Sequence, residues 1–273
     1  MSHPLTAVLS DLHGNEPALD TALSDARARG VRRFVCLGDV VGYGAHPRQA
    51  LDRVMRLCAS ELPSPAGRGE LLPGLCLQGN HEEALVNDRA EDFNPRARAA
   101  IEWTRAEINR APDKEQSYAY WDFLSSLRPA VTEGSVLYAH GSPRDPVREY
   151  LMPHDARDVE KMAGNFAQMN GTSICFVGHS HIPAIYFESG SVFLPSGSEQ
   201  TCELDGLGGG RVIVNVGSVG QPRDGDARLS YVLFDGHGVT FVRLDYDVPQ
   251  AQAAIRAVPE LPDYLADRLA VGR

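Results

Sequence analysis

Short apolar runs alternate with longer segments of helical spacing through the first third of the chain. "LTAVLSD" (5–11), "RRFVCLGD" (32–39) and "GLCLQGN" (74–80) each read as a strand buried on both faces. Between the first two, "EPALDTALSDARARG" (16–30) spaces its apolar residues along one helix face and closes on Gly30 as a cap. "PRQALDRVMRLCASEL" (47–62) repeats the pattern behind Pro47, a residue suited to a first helical turn. The alternation predicts beta-alpha units around a parallel sheet, with "PSPAGRGELLPG" (63–74) a loop. In such sheets ligands sit at the carboxyl ends of the strands.

Residues 95–128 read as mostly helical, with Trp103, Ile108, Trp121, Phe123 and Leu124 at core spacing, and are expected to form an inserted cover. "SVLYAHG" (135–141) returns to strand, a helical stretch follows at 154–169, and "SICFVGH" (173–179) is strand again. Beyond it "IPAIYFESGSVFLPSG", "GRVIVNVGSVG" and "LSYVLFDGHGVTFVRLDYD" are short, beta-rich and punctuated by Gly and Pro, with "DGHG" a hairpin turn. This half predicts a largely antiparallel sheet packed on the first. The tail from Pro249 reads as helices broken at Pro259 and Pro262, and "GLGGG" (206–210) as a flexible loop. One domain spanning 1–273 is expected.

Composition narrows the partners. The chain of 273 residues is 43% hydrophobic and 23% charged, enough for one large core, and its net charge of -10 argues against a long nucleic acid or an anionic membrane. "MSHPLTAVLSDLHG" carries no signal-peptide pattern and no run reaches membrane-spanning length, so a cytoplasmic location is expected. The five cysteines are odd in number and form no CxxC pair, which disfavours a disulfide framework or a thiolate zinc site. Cys36, Cys76 and Cys175 sit in apolar runs and are expected to pack as small hydrophobes.

The chemistry lies at the strand ends. Asp11 and His13 follow the first strand, Asp39 the second, Asn80 and His81 the third, His140 the fourth, and His179 and His181 the fifth. Each motif has a glycine beside it (Gly14, Gly38, Gly79, Gly141, Gly178), which lets the backbone turn sharply and the donors converge. Imidazole, carboxylate and amide oxygen converging on one point read as metal ligands. The other four histidines, His3, His46, His154 and His237, read as surface or loop residues, with His46 the one near enough to a motif to reach a substrate.

"SDLHGN", "GDVVGYG", "GNHEEA", "YAHGSP" and "GHSHIP", in this order over residues 5–183, resemble the five motif blocks of the calcineurin-like metallophosphoesterases, and "NVGSVGQPRDGD" (215–226) extends the resemblance to the smaller bacterial members. The resemblance implies an α/β fold, a four-layer αββα sandwich of two mixed sheets flanked by helices. It implies that Asp11, His13 and His181 hold one divalent metal, that Asn80, His140 and His179 hold the other, and that Asp39 bridges them, one carboxylate oxygen to each. Imidazole-rich ligands favour manganese, iron, zinc, cobalt or nickel over calcium or magnesium, with manganese the first to test. The implied reaction is in-line attack on phosphorus by a hydroxide held between the metals, with His81 protonating the leaving oxygen and Asp11 or Glu82 orienting it.

The substrate expected from this resemblance is a small phosphomonoester or nucleotide phosphoanhydride, of the diadenosine polyphosphate or phosphoprotein type. A phosphodiesterase for cyclic nucleotides or other small diesters is the alternative, and a non-catalytic scaffold on the same fold a third. Phosphoprotein phosphatases and symmetrical diadenosine tetraphosphatases carry an arginine shortly after the second-motif aspartate, where this chain reads "GDVVGYG". Its absence weighs against a protein phosphatase unless Arg144 or Arg211 supplies the missing charge. Arg144, Tyr43 and Tyr150 lie near motif loops as possible substrate contacts, and packing roles weigh against each. One of the aromatics between 103 and 123 is a candidate to line a base pocket.

Overall fold

A computed structural model describes residues 3–61, 71–90, 93–204 and 210–273. Most of the 63–74 loop, Leu62 and all of "GLGGG" but Gly210 lie outside the described residues. Twelve strands are described: β1 (Thr6–Leu9), β2 (Arg33–Cys36), β3 (Leu75–Cys76), β4 (Ala130–Glu133), β5 (Val136–Ala139), β6 (Ile174–Val177), β7 (Ala184–Phe187), β8 (Val192–Phe193), β9 (Glu199–Glu203), β10 (Val212–Asn215), β11 (Leu229–Phe234) and β12 (Gly238–Leu244). The helices are α1 (Glu16–Ala28), α2 (Pro47–Cys58), α3 (Asn80–Asn87), α4 (Pro95–Asn109), α5 (Lys114–Ser126), α6 (Val159–Ala167), α7 (Val248–Arg256) and α8 (Tyr264–Asp267).

The strands form two mixed six-stranded sheets, ordered β3-β2-β1-β11-β12-β9 and β4-β5-β6-β10-β7-β8. The expected parallel core is there as β1, β2 and β3, and a second sheet is drawn entirely from residues 130–215, but β9, β11 and β12 leave it to complete the first. β11 pairs antiparallel with β1 (Thr6 opposite Phe234), whereas β10 pairs parallel with β6 (Val212 opposite Ile174). The reason is that a strand such as "TAVL", buried throughout, needs a partner on both edges, and hydrophobic pattern alone does not say which later strand supplies it.

Alternation within each strand sorts the layers. Val8, Val35, Phe176, Val214, Val232 and Phe241 turn inward and form one core between the sheets. Ala7, Leu9, Phe34 and Cys36 turn outward against Leu19 and Leu23 of α1, Leu51 and Val54 of α2, and Leu124 of α5. Leu137, Cys175, Tyr186 and Ile213 meet Met162 and Phe166 of α6 on the far side. The result is the αββα sandwich, each fully buried large side chain contributing about 1.5–3 kcal/mol. All five cysteines are free, and Cys36, Cys76 and Cys175 are buried in these clusters.

The helices α4 and α5 stack on α2 and α3 at the side of the first sheet. Trp103 and Ala100 of α4 face Ile255, Leu265 and Leu269 of the C-terminal segment, whose expected break at Pro259 and Pro262 falls between α7 and α8. No helix among the described residues is long and apolar enough to cross a membrane.

Candidate metal centre

The named donors meet at the carboxyl ends of β1, β2, β5 and β6, with Asn80 and His81 opening α3 rather than closing a strand. Five of them have left-handed backbones: Asp11 (φ 54°), His13 (49°), Asp39 (52°), His179 (63°) and His181 (60°). Non-glycine residues held there cost on the order of 1–3 kcal/mol each, so the surroundings must over-determine them. They do: Asp11 N–H donates to Gly38 O (3.1 Å), His13 N–H to Asp39 O (2.9 Å) and Gly14 N–H to Val40 O (2.9 Å), lacing the first two loops together. Close approach is equally strict at two glycines. A Cβ on Gly79 would lie 2.1 Å from Asp39 Oδ1, and one on Gly42 would lie 2.2 Å from His81 Nδ1. Gly42 also has φ +90°, so Gly42→Ala is expected to lower stability by about 1–3 kcal/mol and displace His81, measurable by thermal denaturation and turnover.

Two donor sets result. In one, His13 Nε2 lies 3.3 Å from His181 Nε2, and His181 Nε2 lies 3.1 Å from Asp11 Oδ1. In the other, His140 Nε2 lies 3.0 Å from His179 Nδ1 and 3.2 Å from Asn80 Oδ1. Asp39 stands between them, its Oδ2 3.7 Å from His13 Nε2 and 3.5 Å from His140 Nε2. Its other oxygen is already engaged, accepting from His81 N–H at 3.0 Å. Asp39 therefore faces both sets with a single oxygen, not with one oxygen for each as the sequence reading had it.

The proton positions make the case for cations. His13 Nδ1 faces Val41 O (3.1 Å) and His181 Nδ1 faces Gln221 O (2.5 Å), and a carbonyl accepts only from N–H. Both Nε2 atoms are thereby lone pairs, pointed at each other and at Asp11 Oδ1, which is buried with no hydrogen-bond partner. His179 Nε2 faces Arg148 O (3.1 Å), so its Nδ1 is likewise an acceptor, and around His140 Nε2 a single imidazole proton serves at most one of three acceptors. Protonation does not relieve this. Burial lowers the pKa of every ring, to about 4 for His140 and about 3 for His81, and below the usual imidazole value for His13, His179 and His181. Burial, then the charges of Glu82 and Asp11, push Asp39 up. Buried, neutral imidazoles and crowded carboxylate oxygens fit two divalent cations.

Residues 215–221 form the bracket behind these loops. Asn215 Nδ2 donates to Gly178 O (2.7 Å) and Ser180 Oγ (2.9 Å), bracing the turn of His179 and His181. Ser218 Oγ and Gly220 N–H both donate to Asp11 O (2.9 Å each). Glu82 accepts from the N–H groups of Asp39 (2.7 Å), Gly79 (2.9 Å) and Val41 (3.2 Å), which ties the second loop to α3. Neither Glu82 nor Asp11 orients the His81 ring through a hydrogen bond. The rings of Tyr43 (4.6 Å between centroids), His13 (5.0 Å) and Phe93 (5.3 Å) wedge it instead.

Of the expected substrate contacts, Tyr43 packs on His13 and His81, and Tyr150, 45% exposed, stacks on His179 with centroids 3.8 Å apart. Arg144 is not brought to the cluster: its guanidinium pairs with Glu149 and lies against Gly164 of α6. Arg211 pairs with Glu188 beside the opening residue of β10, the opposite end from Asn215. Arg223, unremarked within "QPRDGD", lies beside the cluster. Its N–H donates to His181 O (3.3 Å), its guanidinium carbon lies 5.8 Å from the centre of the Tyr43 ring, and its charge lowers the pKa of His13, His81, His140 and His181, after burial in each case. An open cleft of about 270 Å³ is lined by Asn80, Phe93, Asn94, Arg148, Tyr150 and His179. Phe93, not Trp103, Trp121 or Phe123, is the aromatic preceding α4 that reaches it. His46 caps α2 3.9 Å from Glu16 and is absent from that cleft.

An αββα sandwich with two such donor sets at the ends of its strands defines a scaffold for a two-metal centre. The chain belongs to the calcineurin-like phosphoesterase family, whose pattern it matches over residues 5–183. It is similar along its whole length to MJ0912, an uncharacterised protein of Methanocaldococcus jannaschii, at 33% identity over 278 residues and 100% of each chain. The crystal structure of a metallophosphoesterase from Sphaerobacter thermophilus superposes with a TM-score of 0.78 at 34% identity, covering 99% of this chain and 100% of that one. The hypothetical protein PH1004 of Pyrococcus horikoshii OT3 shares the fold, with a TM-score of 0.75 at 16% identity and 98% of each chain covered.

Proposed function

We propose that the protein is a two-metal phosphoesterase acting on a small phosphomonoester or nucleotide phosphoanhydride, with manganese the ion to test first. The observation that carries this reading is Asp39 Oδ2 poised between two sets of buried lone pairs. Asp11, His13 and His181 would hold one ion, Asn80, His140 and His179 the other, and Asp39 both. Two ions so held would, when bound, activate water as the nucleophile and offset the charge that builds on the phosphoryl oxygens.

The chain's own groups do the rest. Arg223, its guanidinium carbon 5.8 Å from the centre of the Tyr43 ring that packs on His13 and His81, would meet the phosphoryl oxygens, the role expected of the missing second-motif arginine. His81 Nε2, 4.0 Å from Asp39 Oδ2, is placed to give a proton to the departing oxygen. Tyr150 and Phe93 line the way in.

Product analysis of diadenosine tetraphosphate, with p-nitrophenyl phosphate and bis-p-nitrophenyl phosphate in parallel, tests the reading on manganese-loaded protein against His81→Ala. Two ADP, or ATP plus AMP, identify the phosphorus attacked. Turnover of the diester alone would move the assignment to phosphodiesterases, and no turnover of any of the three would sink it. Arg223→Gln is expected to raise KM by about 10- to 100-fold, the value of a charge-assisted hydrogen bond of about 1.5–3 kcal/mol.

A further inference from the structure

We propose that Phe93 and Tyr150 form a slot for the leaving group of the reaction, and that this slot selects nucleoside esters by stacking on the base. The proposal rests on the phosphoesterase reading and names the substrate class that reading leaves open.

The cleft beside the metal donors carries one aromatic ring on each of two functional histidines. Tyr150 stacks on His179, a candidate ligand, with centroids 3.8 Å apart. Phe93 packs edge-on against His81, the proton donor, with centroids 5.3 Å apart. Both rings line the same opening of about 270 Å³, together with Asn80 and His179. A group that leaves on the oxygen protonated by His81 therefore has Phe93 and Tyr150 as its walls. An opening this small, just under the lower bound of about 300 Å³ for small-molecule sites, suits one ring system and not a length of peptide.

The Tyr150 ring is fixed in advance. Its carbonyl accepts from Lys161 Nζ (2.8 Å), whose ammonium also pairs with Asp155 (2.7 Å), and Leu151 beside it is fully buried. His179 Nε2 donates to Arg148 O (3.1 Å), which ties the same segment to the imidazole that Tyr150 covers. One face of the tyrosine lies on His179, yet the residue is 45% exposed, so the other face is open. A rigid, uncovered aromatic face beside a reaction centre stacks a planar group at little entropic cost.

The polar wall of the cleft separates a base from other rings. Asn94 Oδ1 accepts from Arg96 N–H and Ala97 N–H (3.1 Å each) as the cap of α4, so the amide N–H groups are what Asn94 has left to offer. Arg148, whose Nε donates to Glu83 Oε2 (2.8 Å), is a donor only. Both residues line the cleft. A phenyl or alkyl group would cover these donors without pairing them, whereas the ring nitrogens and carbonyls on the edge of a nucleobase accept from them.

The first readout is product binding, which needs no turnover: titration calorimetry on manganese-loaded protein with adenosine and with ribose. Adenosine is expected to bind at least about tenfold tighter than ribose, the value of one stacked base. Tyr150→Leu and Phe93→Leu, which keep apolar bulk and lose the ring, should each bring the two within about threefold. Tyr150→Phe should retain the preference, and Tyr118→Leu, at an exposed ring of α5, should leave it unchanged. An unchanged preference in folded Tyr150→Leu and Phe93→Leu overturns the slot. Phenol, the product of a simple aryl ester, binding as tightly as adenosine would assign the slot to any ring and overturn the nucleoside selection. In turnover, the ratio of kcat/KM for AMP to that for ribose 5-phosphate should fall about tenfold in Tyr150→Leu. Equal kcat/KM for the two esters in the wild type would leave the phosphoesterase and remove the slot. Adenosine binding that depends on Tyr150, without turnover of any ester, would keep a nucleoside site and sink the phosphoesterase.

Discussion

Asp39→Ala is expected to abolish two-metal binding and to lower turnover on the order of 10³-fold, the several kcal/mol that a two-metal clamp contributes. The argument is geometric. One oxygen, Asp39 Oδ2, faces both donor sets, so its removal takes a ligand from each ion at once, whereas loss of any imidazole affects one. Alanine also strips the acceptor from His81 N–H, which confuses a charge effect with a positional one. Asp39→Asn separates them, because its amide oxygen keeps that hydrogen bond while the charge is gone. Metal content by mass spectrometry of desalted protein and turnover at saturating manganese should fall together in both variants. If Asp39→Asn held two ions at wild-type affinity with full turnover, Asp39 would not be the bridge.

His81→Ala should behave differently, keeping both metals and losing about 10²- to 10⁴-fold in kcat, the usual value of a positioned proton donor. The loss should depend on the leaving group. An alkyl phosphate, whose alkoxide departs poorly, needs the proton, and p-nitrophenyl phosphate, whose phenolate departs well, needs it far less. The resting ring is neutral, since burial and then the charge of Arg223 hold it at about 3, so the phosphate's own negative charge must accompany its protonation. An equal loss on both esters would argue against proton donation. Loss of a metal would point to the other grouping the geometry permits, in which His81 joins His13 and Asp39.

The donor residues were legible because their chemistry is local: a strand ends, a glycine follows, and an imidazole or carboxylate has nowhere to go but the common mouth. The division into αββα layers was legible only through resemblance. Strand period indicates that β10 and β11 are buried, but not that β10 lies beside β6 while β11 lies beside β1. Arg223 was missed for a related reason. Its place depends on residues 215–221 bracketing the Asp11 and His179 loops and on the C-terminal turn docking against Gly225, and neither is written in "QPRDGD". Arg144 misled because proximity to "YAHGSP" in sequence says nothing about Glu149, five residues on, capturing its guanidinium.

The bracket formed by residues 215–221 also bears on how the protein is made. The donors lie between Asp11 and His181, but Asn215, Ser218 and Gly220, which hold their loops, and β11, which pairs with β1, are all synthesised afterwards. A ribosome-bound chain that has emerged to His181 carries every candidate donor, and β2 and β5 on one side of β1 and β6, yet lacks β11 and β10 on the other. Such non-local pairings form late in folding. The donor cluster is therefore expected to be a late product of folding, its loops fixed only once residues 215–221 and β11 have been made.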